Sequence, residues 1–433
     1  MRKLVIWIVC FIAGAYAGTA VANEQGKLVL AKDSGMLALD EAYEMAIRNY
    51  PVTRQKELIS KTAGLNMKSL SSGFWPQVTL SGQATYQSAV TEVPIKIPQF
   101  QFESLSKDQY RAMLDINQNV FDGGNVKTQK AILEQQRLVD EQKIDVEYQK
   151  LKERINDIWF SILFIDEQLK LVGLSQKDIE AVIRKVEAQV EQGTAYRSSL
   201  AGLKAEKLKN DQRSTDLNYT RKALVNVLSV FLGKELAHGI TLQYPASAAA
   251  DTSSIRRPEL ELVKRQTKLN DELRRSLDIK KTPRVSLFAQ GGYGKPGLNM
   301  LVNEFDFFYI GGVRFAWNLN GFYNLTRDRQ VNDYNRQSLS IQEEQLMLNI
   351  RAEMKKNQGD IDKYKDLIST DDEIILLRKQ VKDASAAQLE NGVITSSDYI
   401  REVNAEEQAR QNQAMHRLQL LQAIIDQKTT TGN

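Results

Sequence analysis

The chain contains a stretch in which apolar or small residues alternate with polar residues at every position. In residues 77–87 every even position from Val78 to Tyr86 is apolar or small, and every odd position from Gln77 to Gln87 is polar. A period of two places neighbouring side chains on opposite faces of a β-strand. This stretch therefore predicts a strand with one apolar and one polar face.

The same period occurs three more times, in residues 110–117, 285–293 and 305–319. Each predicted strand has roughly ten residues, the length that crosses a bilayer when the strand is tilted. A soluble antiparallel sheet with one buried face would give the same alternation, but the rest of the chain has little apolar surface to cover such a face. The four strands therefore favour part of a membrane β-barrel.

Aromatic residues stand near the strand ends, where a membrane protein carries its interfacial girdle. The candidates are Trp75, Tyr86, Tyr110, Tyr293 and Trp317. Four strands are too few to close a barrel, and open edges in lipid leave unpaired N–H and C=O groups at several kcal/mol each. We therefore expect several chains to share one barrel, with eight strands from two copies or twelve from three.

Beyond the second strand the apolar spacing changes from two residues to four and three. The residues with this spacing are Ile144, Tyr148, Leu151, Ile155, Ile158, Ile162, Ile165, Leu169, Val172, Ile179, Ile183, Val186 and Val190. A sustained repeat of about 3.5 residues is typical of a coiled-coil seam. A helix from Asn125 to Glu191 would be roughly 100 Å long. Gly193 interrupts it, and the pattern that follows predicts a hairpin whose second helix runs back.

This plan occurs twice in the chain. One set of residues, from Pro51 to Tyr86, recurs 207 positions later, and another, from Asn119 to Ser198, recurs 199 positions later. The second copy is therefore eight residues shorter than the first, because the two offsets differ by eight. The missing residues fall between the two strands of the pair, where an exposed connection tolerates changes in length. The second half therefore predicts another strand pair and another long hairpin, with its turn at Gly392.

The duplication divides the chain into eight segments. We expect a signal peptide (1–22), a short equatorial helix with an ascending helix (23–73), the first strand pair of the barrel (74–121), the first long helical hairpin (122–235), an equatorial linker with an ascending helix (236–282), the second strand pair (283–320), the second long hairpin (321–428) and a tail (429–433). Heptads alone would also fit a solid fibrous coiled coil. Because the chains that close the barrel also arrange the hairpins around its axis, we expect a hollow tunnel. The predicted fold class is a mixed membrane β-barrel and α-helical coiled-coil tunnel, internally duplicated.

The first residues predict export. Two basic residues precede an apolar run from Leu4 to Tyr16, and small residues suited to a cleavage site end at Ala22. The only cysteine, Cys10, lies inside the apolar run, so we expect cleavage after Ala22, no lipid anchor and no thiol in the mature chain. The 58 basic residues, two of them in the signal, nearly balance the 54 acidic residues, so nucleic acid is not an expected partner.

Signals for chemistry are weak. The G-x-G-x-x-G pattern of residues 292–297 ends an alternating strand instead of opening a helix, so it does not predict a nucleotide site. His238 and His416, the only two histidines, stand on separate segments and predict neither a metal site nor a catalytic dyad. We expect no enzyme activity, no catalytic residues, no metal and no cofactor.

Several motifs resemble the TolC family of outer-membrane efflux proteins. They are Asn49-Tyr50-Pro51 followed by Pro76, the NVFDGG segment at residues 119–124, and the E-x-G turns at Gly193 and Gly392. The resemblance covers essentially the whole mature chain. It implies a homotrimer with a twelve-stranded barrel in the outer membrane and a long periplasmic tunnel.

The same resemblance implies a function. The protein would be the channel component of a tripartite efflux or type I secretion system, a passive conduit that opens at its periplasmic helical tips. Its partners would be outer-membrane lipid, a periplasmic adaptor (membrane fusion) protein and an inner-membrane pump. A tunnel of this kind needs no cargo-specific pocket, so the pattern does not distinguish drugs, metals and proteins as cargo.

The resemblance also implies a gate near the second tip. Family members close the tunnel with aspartates after the second hairpin glycine; Asp398 matches the first of them, and Arg401 stands at the second position. A ring of carboxylates attracts cations, although neighbouring arginines would partly neutralise it. Asp398 equally suits a helix N-terminus, where free N–H groups stabilise a carboxylate. The family's interhelical tyrosine and arginine fall on Leu389 and Ile394, which cannot make those bonds.

A function of a different class also fits part of the pattern. A secreted periplasmic coiled-coil structural or adaptor protein with a small sheet would contain similar helices. Such a protein would be recovered as a soluble monomer, whereas a membrane conduit needs detergent. The four long strands and the duplicated plan favour the conduit.

Overall fold

The computed structural model describes residues 36–91, 105–246, 254–300 and 302–432. The expected signal peptide, 1–22, lies outside these residues. The described helices are α1 (Leu39–Asn49), α2 (Thr53–Ser71), α3 (Asn125–Glu191), α4 (Arg197–Leu232), α5 (Pro258–Ile279), α6 (Asn320–Glu390) and α7 (Ser396–Thr431). The described strands are β1 (Met36–Leu37), β2 (Gln77–Tyr86), β3 (Asp108–Phe121), β4 (Thr241–Leu242), β5 (Arg284–Lys295) and β6 (Asp306–Ala316).

The four long strands form one antiparallel sheet in the order β2-β3-β5-β6. Their register places apolar residues beside apolar residues, as where Val78 lies opposite Ile116. All four strands therefore direct their apolar side chains to the same face. None of the described elements covers that face, since Leu80 is 78% exposed and Tyr309 is 87% exposed. An apolar face of this size is suited to lipid and not to water.

Each strand pair continues directly into a long helix. Asp122 follows β3, and its carboxylate accepts hydrogen bonds from the N–H groups of Gly124 at 2.9 Å and Val126 at 2.6 Å. In the second half the side-chain oxygen of Asn318 accepts a bond from the N–H of Asn320 at 3.0 Å. Short polar side chains satisfy the free N–H groups of a first helical turn. Both halves therefore convert a strand into a helix within a few residues.

The long helices pack as two hairpins, α3 with α4 and α6 with α7. The helix α3 has 67 residues, which corresponds to about 100 Å. Most of its predicted seam is buried, including Leu151, Ile155, Ile162 and Val172 at 2% exposure or less. The 3.5-residue spacing therefore marks the line along which α3 contacts its neighbours.

The largest apolar core lies near the middle of the hairpins. There α1 packs its buried residues Leu39, Ala42 and Ala46 against α3 and α4. Trp159 of α3 is fully buried and donates its indole N–H to the carbonyl of Gln243 at 3.3 Å. β1 and β4 form a small parallel sheet beside it. The segment before α2 and the linker between the halves thus form one belt at this level.

The last helix is longer than its apolar spacing predicts. α7 continues through Thr431, which is fully buried, so residues 429–431 form its last turn instead of a separate tail. Polar contacts hold this turn: Gln149 donates to the carbonyl of Thr429 at 2.8 Å, and Asn357 donates to Thr430 Oγ1 at 3.1 Å. Because these contacts are polar, no apolar repeat in the sequence signals them.

Asp426 on α7 lies in an acidic part of this region. Burial, helped by the carboxylates of Asp157, Glu353 and Glu153 and opposed by Lys356, raises the pKa of Asp426 to about 6. The folded protein therefore holds this proton more tightly than the unfolded chain does. The stabilisation from this group is complete below about pH 4 and is lost as the pH rises through about 6.

We predict that Asp426→Asn stabilises the protein near neutral pH, because an amide keeps its hydrogen-bonding capacity and cannot ionise. The free energy of unfolding should rise by about 1 to 3 kcal/mol at about pH 8 and change little at about pH 4. Thermal unfolding followed by circular dichroism at both pH values measures this difference. Asp366→Asn removes an exposed carboxylate of α6 and is the matched control. An Asp426→Asn protein that is less stable than the parent at about pH 8 would contradict the assignment.

Candidate functional site

Aromatic residues lie at both ends of the four-stranded sheet. Trp75 and Trp317 stand at the end nearest the helices, and Trp317 donates its indole N–H to a backbone carbonyl at 2.8 Å. Tyr86, Tyr110 and Tyr293 stand at the opposite end. All five are between 43% and 77% exposed. Two aromatic groups separated by the length of a strand are the arrangement that a pair of interfacial girdles requires.

Two phenylalanines extend the group at the far end. The ring centroid of Tyr293 lies 4.6 Å from that of Phe307 and 5.4 Å from that of Phe305, and Tyr110 lies 6.3 Å from Phe305. Sequence reasoning omitted Phe305 and Phe307 from the girdle. Their position on the apolar face of the alternating pattern was the signal that could have identified them.

The opposite face of the sheet is polar and carries two arginine–phenylalanine contacts. The guanidinium carbon of Arg111 lies 5.6 Å from the ring centroid of Phe308, and that of Arg314 lies 4.9 Å from the centroid of Phe288. These distances permit cation–π attraction. A Cβ at Gly292 would lie 2.5 Å from the ring of Phe308, so glycine is needed beneath that ring. Each contact joins two strands, and for this reason the spacing within one strand did not reveal it.

Gly193 and Gly392 lie in the turns of the two hairpins, with φ angles of 75° and 73°. In both turns the glycine N–H bonds to the carbonyl three residues earlier at 3.1 Å, and the next N–H bonds to a carbonyl five residues earlier at 2.8 Å. Positive φ favours glycine after a helix. The duplication of the sequence therefore extends to the hydrogen bonds of the two tips.

An apolar cluster behind the tips joins all four long helices. Its buried members are Ile179, Ile183, Val186, Leu203, Leu389, Tyr399 and Val403, and Ile394 packs against them. Leu389 and Ile394 are the positions at which the family pattern has a tyrosine and an arginine. In this chain the two positions therefore connect the hairpins through apolar contact.

Ion pairs add to this connection. Lys382 on α6 places its ammonium 2.8 Å from Asp178 of α3 and 2.7 Å from Glu406 of α7, and its side chain is only 13% exposed. Burial disfavours the charged lysine, but the hydrogen bonds to the two carboxylates outweigh burial and raise the lysine pKa. An exposed pair between Lys185 of α3 and Glu390 of α6 lies closer to the tips. The two hairpins are thus linked by charge as well as by apolar packing.

Asp398 caps the start of α7. The N–H of Asp398 donates to Thr395 Oγ1 at 3.3 Å, while the Asp398 carboxylate accepts bonds from the N–H and the hydroxyl of Thr395. Arg401 also lies 3.0 Å from this carboxylate. The bonds from Thr395, with a smaller contribution from Arg401, hold the pKa of Asp398 below its usual range. The helix-capping role, one of the two expected alternatives, is therefore present. Arg401 is also close enough to neutralise part of the negative charge of Asp398.

Other chemistry is scarce in the described residues. They contain no group of three or more His, Cys, Asp or Glu residues that could hold a metal ion. His416 Nδ1 lies 2.7 Å from Asp371 of the neighbouring helix, far along the chain from His238. In the part of the chain that is described, helices that combine the length and apolar character needed to cross a membrane are not found.

Residues 42–233 match the family described as outer membrane efflux protein. VceC from Vibrio cholerae is similar in fold, with a TM-score of 0.68, 12% identity and coverage of 91% of this chain and 96% of that chain. The outer-membrane channel OprN gives a TM-score of 0.67, 13% identity and coverage of 91% and 89%. The open state of the MtrE outer membrane channel from Neisseria gonorrhoeae gives a TM-score of 0.65 and 12% identity, with coverage of 91% of this chain and 89% of that chain. No curated protein sequence matches the chain.

The family match includes the first strand pair and the first long hairpin. The second half repeats the same elements in the same order, and the fold similarity extends over 91% of the chain. Residues 42–233 therefore match the outer membrane efflux protein family, and the chain as a whole has the fold of these outer-membrane channels.

Proposed function

We propose that three copies of this chain form a passive conduit that a periplasmic adaptor protein and an inner-membrane pump use for export. One observation carries this proposal: a four-stranded sheet with an uncovered apolar face continues into helical hairpins about 100 Å long. The strands supply a part of a membrane wall, and the hairpins supply a part of a tunnel on the same axis. Transport energy would come from the pump.

The edges of the sheet support an assembly of several copies. β2 and β6 are the outer strands, and each has one side without a partner strand among the described residues. Lipid cannot hydrogen-bond these backbone groups, so each edge needs another strand. Pairing of β6 with β2 of the next copy repeats around an axis and closes a ring. Three copies give twelve strands.

The surface of α6 supports the same assembly. Unlike α3, this helix has many exposed apolar residues along its length. They include Val331, Tyr334, Ile341, Leu348, Ile374, Leu376, Leu377 and Val381. A helix with apolar residues on a face that its own chain leaves uncovered is suited to a neighbouring helix. The helices of the next copy would cover this face and complete the tunnel wall.

The secreted structural or adaptor protein is less favoured than the conduit. A soluble protein would have to expose the whole apolar face of the sheet to water, including Leu80, Phe307 and Tyr309. The family match and the channel folds of the similar structures also favour the conduit.

We predict that the protein fractionates with the outer membrane, needs detergent for extraction and remains trimeric when purified. The apolar sheet face and the open strand edges are the physical reasons. Sucrose-gradient fractionation of the membranes and the mass of the detergent-solubilised protein measure these properties. Recovery as a soluble periplasmic monomer would favour the structural protein.

The linked hairpin tips suggest how the conduit would be held closed. Lys382 connects α6 to α3 and α7, and the apolar cluster around Leu389 lies between the same helices. An adaptor that binds near Gly193 and Gly392 would separate the hairpins against these contacts. Opening is thus a rearrangement of helices and requires no chemical step.

We predict that Lys382→Ala increases the open fraction of reconstituted channels. Without the ammonium, Asp178 and Glu406 repel each other across the two hairpins. The open fraction should rise at least about fivefold, because breaking a partly buried charge network costs about 1 kcal/mol or more. Single-channel recording in planar bilayers measures the effect, and Lys379→Ala removes an exposed lysine of the same helix as a control. If the parent and Lys382→Ala have equal open fractions, Lys382 does not help to hold the channel closed.

We predict that Asp398→Asn weakens block of the channel by divalent cations, because three carboxylates around the axis would attract them. Thr395→Ala is the matched variant: it weakens the helix cap by about 1 kcal/mol but keeps the carboxylate. Current block by added MgCl₂ in planar bilayers separates the two roles. If Thr395→Ala changes the block as much as Asp398→Asn does, Asp398 acts as a cap and not as a gate.

A further inference from the structure

The polar face of the sheet, which lines the barrel in the proposed trimer, carries an uneven distribution of charge. Its charged residues within the described strands are Arg111, Asp115, Arg284, Asp306 and Arg314. Arg111 and Asp306 both lie opposite Gly294, so they stand at the same height near the end far from the helices. Asp115 is at mid-height and accepts a hydrogen bond from Gln290. The positive charge of Arg111 and the negative charge of Asp306 therefore balance at the far end. At mid-height the charge is that of the Asp115 carboxylate, which is hydrogen-bonded.

The end of the sheet nearest the helices is different. Arg314 lies opposite Ser286 and Arg284 lies opposite Ala316, so the two arginines are diagonal neighbours on one face. Diagonal neighbours of this kind are roughly 7 to 8 Å apart. Among the described residues, neither guanidinium has a carboxylate oxygen within 4.0 Å. Arg314 instead stacks on Phe288.

The neighbouring strands bring no negative charge to this end. The polar face of β2, from Gln77 to Thr85, contains only uncharged side chains, so pairing of β6 with β2 of the next copy places no carboxylate beside Arg314 in any register. Asp122, just beyond the end of β3, stands near the level of Arg284, but its carboxylate is bonded to the N–H groups of Gly124 and Val126 at the start of α3. Within the described strands, the nearest carboxylate on the same face is Asp115, which lies opposite Gln290. Four residues separate Gln290 from Ser286, which corresponds to about 13 Å. That distance exceeds the Debye length of about 8 Å at physiological salt.

Arg284 also borders a recess at the junction of strands and helices. The recess has a volume of about 280 Å³, and Thr282 and Asn318 contribute to its lining. Lys280 lines it as well, but its ammonium is 2.9 Å from Asp328 of α6. Arg284 is therefore the cation of this recess that has no ion pair in the described part of the chain.

We propose that Arg284 and Arg314 of three copies form a basic ring where the barrel opens into the helical tunnel, and that this ring makes the conduit favour anionic solutes. The inference rests on the trimeric conduit proposed above. Six guanidinium groups around one cross-section would attract anions and repel cations, as rings of basic side chains do in anion-selective pores. Guanidinium groups also bind carboxylate and phosphate groups through paired hydrogen bonds. The solutes favoured at this level would be molecules that carry such groups.

The test compares ion selectivity in planar bilayers. Reconstituted parent channels and the double variant Arg284→Gln with Arg314→Gln are placed in a KCl gradient, and the reversal potential gives the ratio of chloride to potassium permeability. We expect this ratio to fall on the order of threefold or more in the double variant, because lumenal potentials of more than one kT are removed. Arg284→Lys with Arg314→Lys keeps the charge and should keep the ratio, which separates charge from the stacking of Arg314 on Phe288.

The double variant Arg111→Gln with Asp306→Asn provides the matched control. Arg111 also stacks on a phenylalanine, but it stands level with Asp306, so removing both charges leaves the net charge unchanged and should change the ratio much less. An intact trimeric variant that lacks Arg284 and Arg314 but keeps the parental permeability ratio would overturn the basic ring, and so would an equal shift in Arg111→Gln with Asp306→Asn. Parent protein that carries no ion current at all would instead refute the conduit itself.

Discussion

The unpaired backbone groups along β2 and β6 are the constraint on which the rest of the structure depends. A sheet of four strands has two edges, and in lipid neither edge can exchange its hydrogen bonds for water. The apolar face of the sheet requires lipid, so the edges cannot be placed in water either. Only neighbouring copies can satisfy both requirements. Because each strand pair continues into a helix within a few residues, the closed ring of strands also determines how the hairpins are arranged below it.

The two halves of the chain use one plan with different consequences. α3 buries its apolar seam against helices of its own chain, whereas α6 leaves a long apolar face uncovered. The first half therefore supplies much of the internal core, and the second supplies a surface for neighbours. The turns at Gly193 and Gly392 remain alike in their hydrogen bonds, but the charges around them differ. Lys382 in the second half reaches both Asp178 of the first half and Glu406 of its own hairpin.

The sequence predicted the features that repeat along a single element. The two-residue period predicted the four strands and their apolar face, and the 3.5-residue period predicted the seam from Ile144 to Val190. Contacts between elements were not predictable in the same way. The stacking of Arg314 on Phe288 depends on the register between β5 and β6, and the pairing of Lys382 depends on how the hairpins cross. Likewise, the last turn of α7 is held by single polar contacts, which have no period.

An aspartate at position 398 is suited to two roles. The structure of one chain contains the helix cap, whereas a gate would form only where three copies meet at the trimer axis. The side chain of Thr395 was the sequence signal for the cap, because threonine three residues before a carboxylate forms a capping box. At Leu389 and Ile394 the departure from the family pattern was visible in the sequence, but the apolar cluster that replaces it required four helices to be placed together.

The closure of the barrel by neighbouring copies can be measured directly with cysteine pairs, since the only native cysteine lies in the expected signal peptide. Ser81→Cys on β2 and Ile310→Cys on β6 are both near mid-height on the polar face, and a small set of pairs with Phe308→Cys or Gly312→Cys covers the neighbouring registers. After oxidation in the membrane, one pair should yield covalent dimers and trimers on a non-reducing gel, while each single variant stays monomeric. If every pair in the set gives only monomer in fully oxidised membranes, the strands do not close a shared barrel and the account is wrong.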